Sequence, residues 1–249
     1  MLAASQVPFG GGGWALLIFF GWTTSLLLLV SPFPFPSLLG LLLLVLLRTF
    51  LQTGLFIIGH DAMHGSLMPR HPHLNTGIGA LALQLYAFLP YGQCRRNHFR
   101  HHQKPAEQGD PDYHDGQRSD PLHWYARFMR GYLSAGQLLA LFCCWAFTAL
   151  LLRPFTDAIL EKILLFWMLP LLLSSIQLFM FGTYLPHRGS STDAPASAQV
   201  KSTSLPPFLS LLSCYHFGYH WEHHAFPAVP WYALPALRKA CAGGISRHG

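Results

Sequence analysis

Long apolar runs, broken by short polar stretches, dominate the chain. Trp14–Val30 is an uncharged apolar run. At about 1.5 Å of rise per residue it just spans a hydrocarbon core of about 30 Å. The string Ser31-Pro32-Phe33-Pro34-Phe35-Pro36-Ser37 ends it, because proline has no N–H to donate and restricts its predecessor. That string predicts a tight turn at one membrane surface. Leu38–Ile58 is a second span with one charge, Arg48, at its middle. An arginine inside a membrane faces protein or water, so Arg48 is expected to pair with backbone carbonyls. Ile78–Pro90 is apolar but too short to cross, which predicts a re-entrant or in-plane helix. Tyr132–Leu152 is the third span, ended by Arg153-Pro154. Ile159–Leu185 contains the fourth, with Pro170 expected to kink it. Met1–Gly13, Gln103–Pro121 and Ser190–Ser204 read as connections, and Leu205–Leu212 as a short apolar entry to the last histidine-rich stretch. The expected fold is an all-α integral membrane protein of one domain, residues 1–249, with four transmembrane helices.

Composition supports lipid as the surroundings. Only 10% of residues are charged and 51% are hydrophobic, where a soluble domain carries about 25% charge. The formal net charge of +6 does not indicate nucleic acid, because the basic residues flank apolar runs and form no stripe. Their distribution orients the chain instead. Arg70, Arg95, Arg96, Arg100, Lys104, Arg118, Arg127 and Arg130 fall on one side, together with Arg188, Lys201, Arg238, Lys239 and Arg247. Arg153 and Lys162 fall on the other. The basic excess places the first side in the cytoplasm. Residues 1–13 hold no Lys or Arg, so the charged start of a signal peptide is missing. Five cysteines without paired spacing fit a reducing compartment or burial in the membrane.

The fifteen histidines change the picture most. His60 and His64 form an i, i+4 pair, and His98, His101 and His102 an i, i+3, i+4 trio. His220, His223 and His224 repeat that trio, with His216 a further turn upstream. On helices these spacings project imidazoles from one face. If Ile78–Pro90 does not cross, all three stretches meet on the cytoplasmic side as a cap. Neutral imidazoles brought together make a metal site, and eight or nine exceed one six-coordinate ion, so two metals are expected. The first stretch reads His-Asp-x-x-His, not the His-Glu-x-x-His of zinc proteases. A catalytic zinc needs only three protein ligands. Copper is chemically open; iron suits oxygen-dependent attack on an unreactive C–H bond between apolar walls. A metal transporter would place its ligands at mid-membrane along a path, whereas these lie at span ends. His71, His73, His123 and His248 read as ordinary hydrogen-bonded histidines, and His114 as a loop residue or a support to the site.

Longer strings carry a resemblance. Thr53-Gly54-Leu55-Phe56-Ile57 and His60-Asp61-Ala62-Met63-His64-Gly65-Ser66-Leu67 resemble the bacterial β-carotene ketolases of the membrane fatty-acid desaturase and hydroxylase superfamily of di-iron enzymes. So do Asp110-Pro111-Asp112, Phe181-Gly182-Thr183-Tyr184-Leu185-Pro186-His187-Arg188, Ser210-Leu211-Leu212, Cys214-Tyr215-His216-Phe217-Gly218, Glu222-His223-His224 and Pro230-Trp231. The matches cover most of the chain, and the Phe-Gly-Thr-x-Leu-Pro-His-Arg string is the narrowest. One departure is Trp221, where some ketolases carry another histidine.

The resemblance implies O2-dependent oxidation of β-ionone ring C4 of β-carotene. Two hydroxylations and a dehydration would give echinenone and then canthaxanthin. It implies two Fe2+ ions, O2 as co-substrate and an external electron-transfer protein such as reduced ferredoxin. The setting would be a plasma or thylakoid-type membrane, with the carotenoid arriving from lipid. Its ligands carry over to His60, His64, His98, His101, His102, His220, His223 and His224, with His187 from the end of the fourth span and His216 as a tenth candidate. Asp61, Asp110, Asp112 and Glu222 would orient imidazoles. Phe56, Tyr86, Phe88, Tyr184 and Trp221 would line the substrate path. A carotenoid 3-hydroxylase or a fatty-acyl desaturase on the same scaffold is the nearest alternative.

Overall fold

The computed structural model describes residues 10–29, 37–114, 118–189 and 200–245. Among them every regular element is helical. The proline-rich turn at 31–36 and most of the 190–204 connection lie outside the described residues. Among the described residues, four helices are long and apolar enough to cross a membrane: Gly11–Leu28, Leu38–Met63, Ala135–Leu152 and Ile159–His187. The protein is an integral membrane protein.

Helix α1 (Gly11–Ser25) runs into a 3-10 turn at Leu26–Leu29. Helix α2 (Leu38–Met63) is the central element, started by Ser37, whose hydroxyl accepts the Gly40 N–H at 3.3 Å. Its first half shows Leu38, Leu39, Leu42, Leu43, Leu46 and Leu47 to lipid, while every residue from 57 to 63 is buried. Twenty-six residues make a helix of roughly 39 Å. That exceeds a hydrocarbon core of about 30 Å, and the buried end of the helix carries His60, with His64 as its C-cap residue. Helix α3 (Pro72–Ala87) packs on α2 and is not among the helices long and apolar enough to cross; it starts earlier than the Ile78–Pro90 expected from sequence. The approach is close because the partners are small: a Cβ on Gly79 would stand 2.4 Å from Ala62 Cβ. Phe88 then turns the chain in the left-handed region, φ 54°, into α4 (Tyr91–Gln103).

Sequence placed Tyr132 in the third span; the structure separates it. Helix α5 (Pro121–Tyr132) is a helix of its own, capped by Asp120. Helix α6 (Ala135–Leu152) starts afresh from a capping box in which Ser134 and Gln137 satisfy each other's backbone N–H groups. The fourth span, α7 (Ile159–His187), contains two π turns, Leu164–Met168 and Met180–Tyr184, each just before a proline, Pro170 and Pro186. Pro170 has no N–H to offer the Phe166 carbonyl four residues back. Arg48 Nε donates to that carbonyl at 2.8 Å, and its Nη1 donates to Trp22 O at 2.9 Å and Ser25 Oγ at 2.6 Å. The intramembrane arginine thus binds α1 and α7 to α2 through backbone carbonyls, as its position predicted. Three short helices finish the chain: α8 (Pro207–Cys214), α9 (His220–Ala225) and α10 (Leu234–Ile245).

Candidate metal centre

The end of α2, the length of α4, the last turn of α7 and α9 deliver their histidines to one place. Two groups of four form there. His60, His64, His98 and His223 make the first, and His101, His187, His220 and His224 the second. Within each group, ligand atoms lie within 4.8 Å of one another. His102 stands between them, its Nε2 2.9 Å from His223 Nε2 and its ring stacked on His224 at 4.1 Å. Each group draws on separate stretches, so the spacings do not correspond to one metal each.

The protonation pattern tests whether these residues fit a metal. His101 Nδ1 donates to Asp110, with Oδ2 at 2.9 Å and Oδ1 at 3.1 Å. His60 Nδ1 faces Asp61 Oδ1 at 3.3 Å. These carboxylates keep the protons on Nδ1 and leave Nε2 as a lone pair. The Nε2 atoms then converge. His223 Nε2 meets His60 Nε2 at 3.2 Å as well as His102, His64 Nε2 meets His98 Nε2 at 2.7 Å, and His224 Nε2 meets both His101 and His220 Nε2 at 3.1 Å. Clustered lone pairs repel unless a cation lies among them, so the donor set fits two metal ions. Burial, followed by neighbouring imidazoles, holds His98, His220, His223 and His224 well below the usual histidine range. It takes His102 to about 2. Burial and then Arg95 take His64 to about 4. The rings are therefore neutral at ordinary pH, the state in which an imidazole can take up a metal. His101 is the exception: burial lowers it, but the hydrogen bond and charge of Asp110 outweigh burial and raise it.

Asp61 Oδ2 also accepts the Trp231 N–H at 3.1 Å, which ties the segment after α9 to α2. Asp112 sits 4.0 Å from His101 Nδ1 and accepts the Tyr132 hydroxyl at 2.6 Å. Glu222, expected to orient an imidazole, instead bonds Ser202 Oγ and Arg238 Nη1, the latter at 2.9 Å, and so tethers α10. His216 does not join either group. Spacing alone put it on the helix of His220, but Tyr215 and His216 both adopt positive φ, 47° and 62°, and α9 begins only at His220. Its ring lies on Tyr219 and Trp231. His114 lies tilted against Tyr113 and edge-on to Trp124 in the loop before α5.

A chamber of about 30 Å³ beside the histidines is lined by His60, His98, His101, Asp112, Cys94 and Phe217 among others. A larger cavity of about 370 Å³ lies between α2, α3, α5, α6 and α7, with almost entirely apolar walls including Phe56, Tyr86, Leu141 and Trp145. Of the aromatics expected along the substrate path, Phe56 and Tyr86 line this cavity and Phe88, Tyr184 and Trp221 line neither cavity. Phe88 caps α3, Tyr184 packs on Trp124 and Phe179, and Trp221 is 38% exposed. Sequence reading missed Phe128, Tyr132 and Leu178, which line both cavities. The signal available was the aromatic run just before the third span.

The chain matches the fatty acid desaturase family over residues 35–155 and 132–249. It belongs to that family. It is 43% identical over 192 residues to the "Beta-carotene ketolase" of Paracoccus sp. (strain PC1), covering 77% of this chain and 76% of that one. It is 41% identical over 218 residues to the "Beta-carotene 4-ketolase" of Protosiphon botryoides, covering 84% and 54% respectively. The "Zeaxanthin 4-ketolase" of Chlamydomonas reinhardtii is 41% identical over 203 residues, covering 80% and 44%. The chain thus spans about half the length of these two algal relatives and three quarters of the bacterial one.

Proposed function

We propose that the protein is an O2-dependent membrane oxygenase that converts C4 of a β-ionone ring of β-carotene into a ketone. The observation that carries this reading is the apolar cavity within the membrane-spanning helices, whose walls continue into the histidine chamber through Phe56, Phe128, Tyr132 and Leu178. Leu138, Phe142, Leu164 and Leu172, all exposed, line the cavity and face lipid. A ring end enters there directly from the bilayer, and the rest of a long polyene stays in lipid. The ketolase names of the relatives agree with that substrate class.

In this reading two irons are held by the two histidine groups, with His102 between them. Bound iron would supply the reductive activation of O2 needed to oxidise the allylic C–H bond at C4. Asp110 and Asp61 hold protons on Nδ1 of His101 and His60, so that Nε2 stays free as a ligand atom. Apolar walls keep water from the ring and present the same carbon twice. Each hydroxylation consumes one O2, two electrons and two protons and releases one water; the resulting gem-diol loses water to the ketone. Electrons come from an external donor of the reduced-ferredoxin class. The basic side faces the cytoplasm, in a plasma or thylakoid-type membrane.

The test is expression in β-carotene-producing cells followed by pigment analysis. The expected products are echinenone and canthaxanthin with little C4 alcohol. A 3-hydroxy carotenoid, or a new fatty-acid double bond with unchanged β-carotene, would overturn the ketolase reading.

A further inference from the structure

Two cavities meet at four side chains. Phe56 from α2, Phe128 and Tyr132 from α5 and Leu178 from α7 each line both the apolar cavity and the histidine chamber. They stand between the two cavities, so a route from one to the other would run past them. Three are hydrocarbon. Tyr132 is the polar one, and its hydroxyl is committed: it donates to Asp112 Oδ1 at 2.6 Å. Asp112 is 8% exposed, and its N–H donates to Asp110 Oδ1 at 2.9 Å, the carboxylate that holds His101. A chain of hydrogen bonds therefore runs from the neck of the cavity to an imidazole of the second group. Phe128 is fixed from behind by Phe179, with ring centroids 5.7 Å apart, and by Tyr132 at 4.9 Å.

We propose, resting on the ketolase reading above, that these four residues form a collar that sets how far the substrate ring advances, and that Tyr132 is the positioning residue that ties the collar to the His101 support. Ketone formation needs the same carbon presented twice. The alcohol formed first is more polar than the ring that entered, so only a rigid collar returns it to the same place. Anchored through Asp112, the Tyr132 ring cannot swing into the cavity and widen the neck. Phe128 sets the width on the same helix, one turn earlier.

The experiment expresses full-length Tyr132→Phe and Phe128→Leu in β-carotene-producing cells and compares C4 alcohol with C4 ketone, alongside iron per purified chain. Tyr132→Phe keeps the ring and loses only the anchor. The expected result is wild-type iron content with the alcohol-to-ketone ratio raised about tenfold or more, and a similar rise, or oxidation at the neighbouring ring carbon, in Phe128→Leu. Variants that make less product at an unchanged ratio would show merely structural residues and overturn the proposal. So would a Tyr132→Phe protein whose losses follow missing iron. If the wild-type protein makes no C4-oxygenated carotenoid, the ketolase reading itself fails, which is a separate outcome.

Discussion

Asp110→Asn is the sharpest perturbation of the metal centre, because its geometry leaves no slack. The carboxylate is 3% exposed and accepts from three donors: His101 Nδ1 at 2.9 and 3.1 Å, the Ala106 N–H at 2.9 Å and the Asp112 N–H at 2.9 Å. Burial is the largest influence and works against the charge, but the hydrogen bond and charge of His101 together with the Asp112 and Ala106 N–H groups outweigh it and hold the carboxyl below its usual range. Asparagine offers one oxygen and one NH2. At least one N–H then faces another donor, and one or two charge-assisted bonds of about 1.5–3 kcal/mol each are lost. Stability should fall by about 1.5–6 kcal/mol on that count. If the amide NH2 turns to His101 Nδ1, the imidazole must accept there and carry its proton on Nε2, where it cannot ligate. Loss of such a partner costs roughly 10–100-fold in metal affinity. Purified protein is equilibrated against graded chelator and iron per chain is measured, with a melting curve beside it. Asp112→Asn is the comparison, since Asp112 lies 4.0 Å from His101 and should lose less iron. An Asp110→Asn protein that holds iron as the wild type does would refute the orienting role.

Three further outcomes follow from the same geometry. His223→Ala or His220→Ala should lose iron and turnover together, whereas His216→Ala and His114→Ala should keep wild-type iron, since neither ring reaches a group; iron per chain decides it. Arg48→Leu withdraws the donor from the Phe166 and Trp22 carbonyls, a cost of about 1–3 kcal/mol each, so the detergent melting temperature should drop while iron per folded chain holds; wild-type melting would contradict it. In metal-stripped protein, His98, His102, His220, His223 and His224 have depressed folded-state pKa values, so below about pH 6.5 the unfolded chain binds more protons. Their contribution to stability is whole above that pH and lost as pH falls, by up to about 1.4 kcal/mol per unit per histidine. A melting temperature unchanged between pH 7.5 and 5.5 in the stripped protein would count against these buried neutral rings.

The four spans were legible because long apolar runs report on lipid without needing a tertiary partner. Arg48 was legible for the same reason: a charge at mid-span has few places to go. What escaped the sequence depended on partners far along the chain. Glu222 finds Ser202 and Arg238, 20 and 16 residues away. The break at Tyr215 and His216 occurs at two non-glycine residues with positive φ, so nothing local marked the end of helical spacing before His220. Phe88, Tyr184 and Trp221 stand near histidine stretches in sequence, but the cavity is set by which faces of α5, α6 and α7 meet α2. The sorting of histidines into two groups, each mixing distant segments, likewise follows from helix orientation and not from spacing.

His187 shows how one irregularity can place a side chain. A π turn holds about one residue more than an α turn, which rotates everything after it by roughly 100° about the axis. The turn at Met180–Tyr184 lies between Leu178 and Phe179, which pack into the cavity wall and core, and His187, which faces His101 at 4.8 Å and His220 at 5.1 Å between ring centroids. In a regular helix the packing of Leu178 and the facing of His187 could not both be met. Two local features accommodate the turn. Pro186 could not donate to the Gly182 carbonyl four residues back in any case. Gly182 admits the Phe217 ring, whose Cε1 would lie 2.4 Å from a Cβ there. Phe217 in turn stands 4.7 Å from the His60 ring and 5.7 Å from that of His220. The Gly-Thr-x-x-Pro-His string of the fourth span is thus a geometric device: the glycine seats the ring that separates His60 from His220, the proline tolerates the π turn, and the turn brings His187 to the second group.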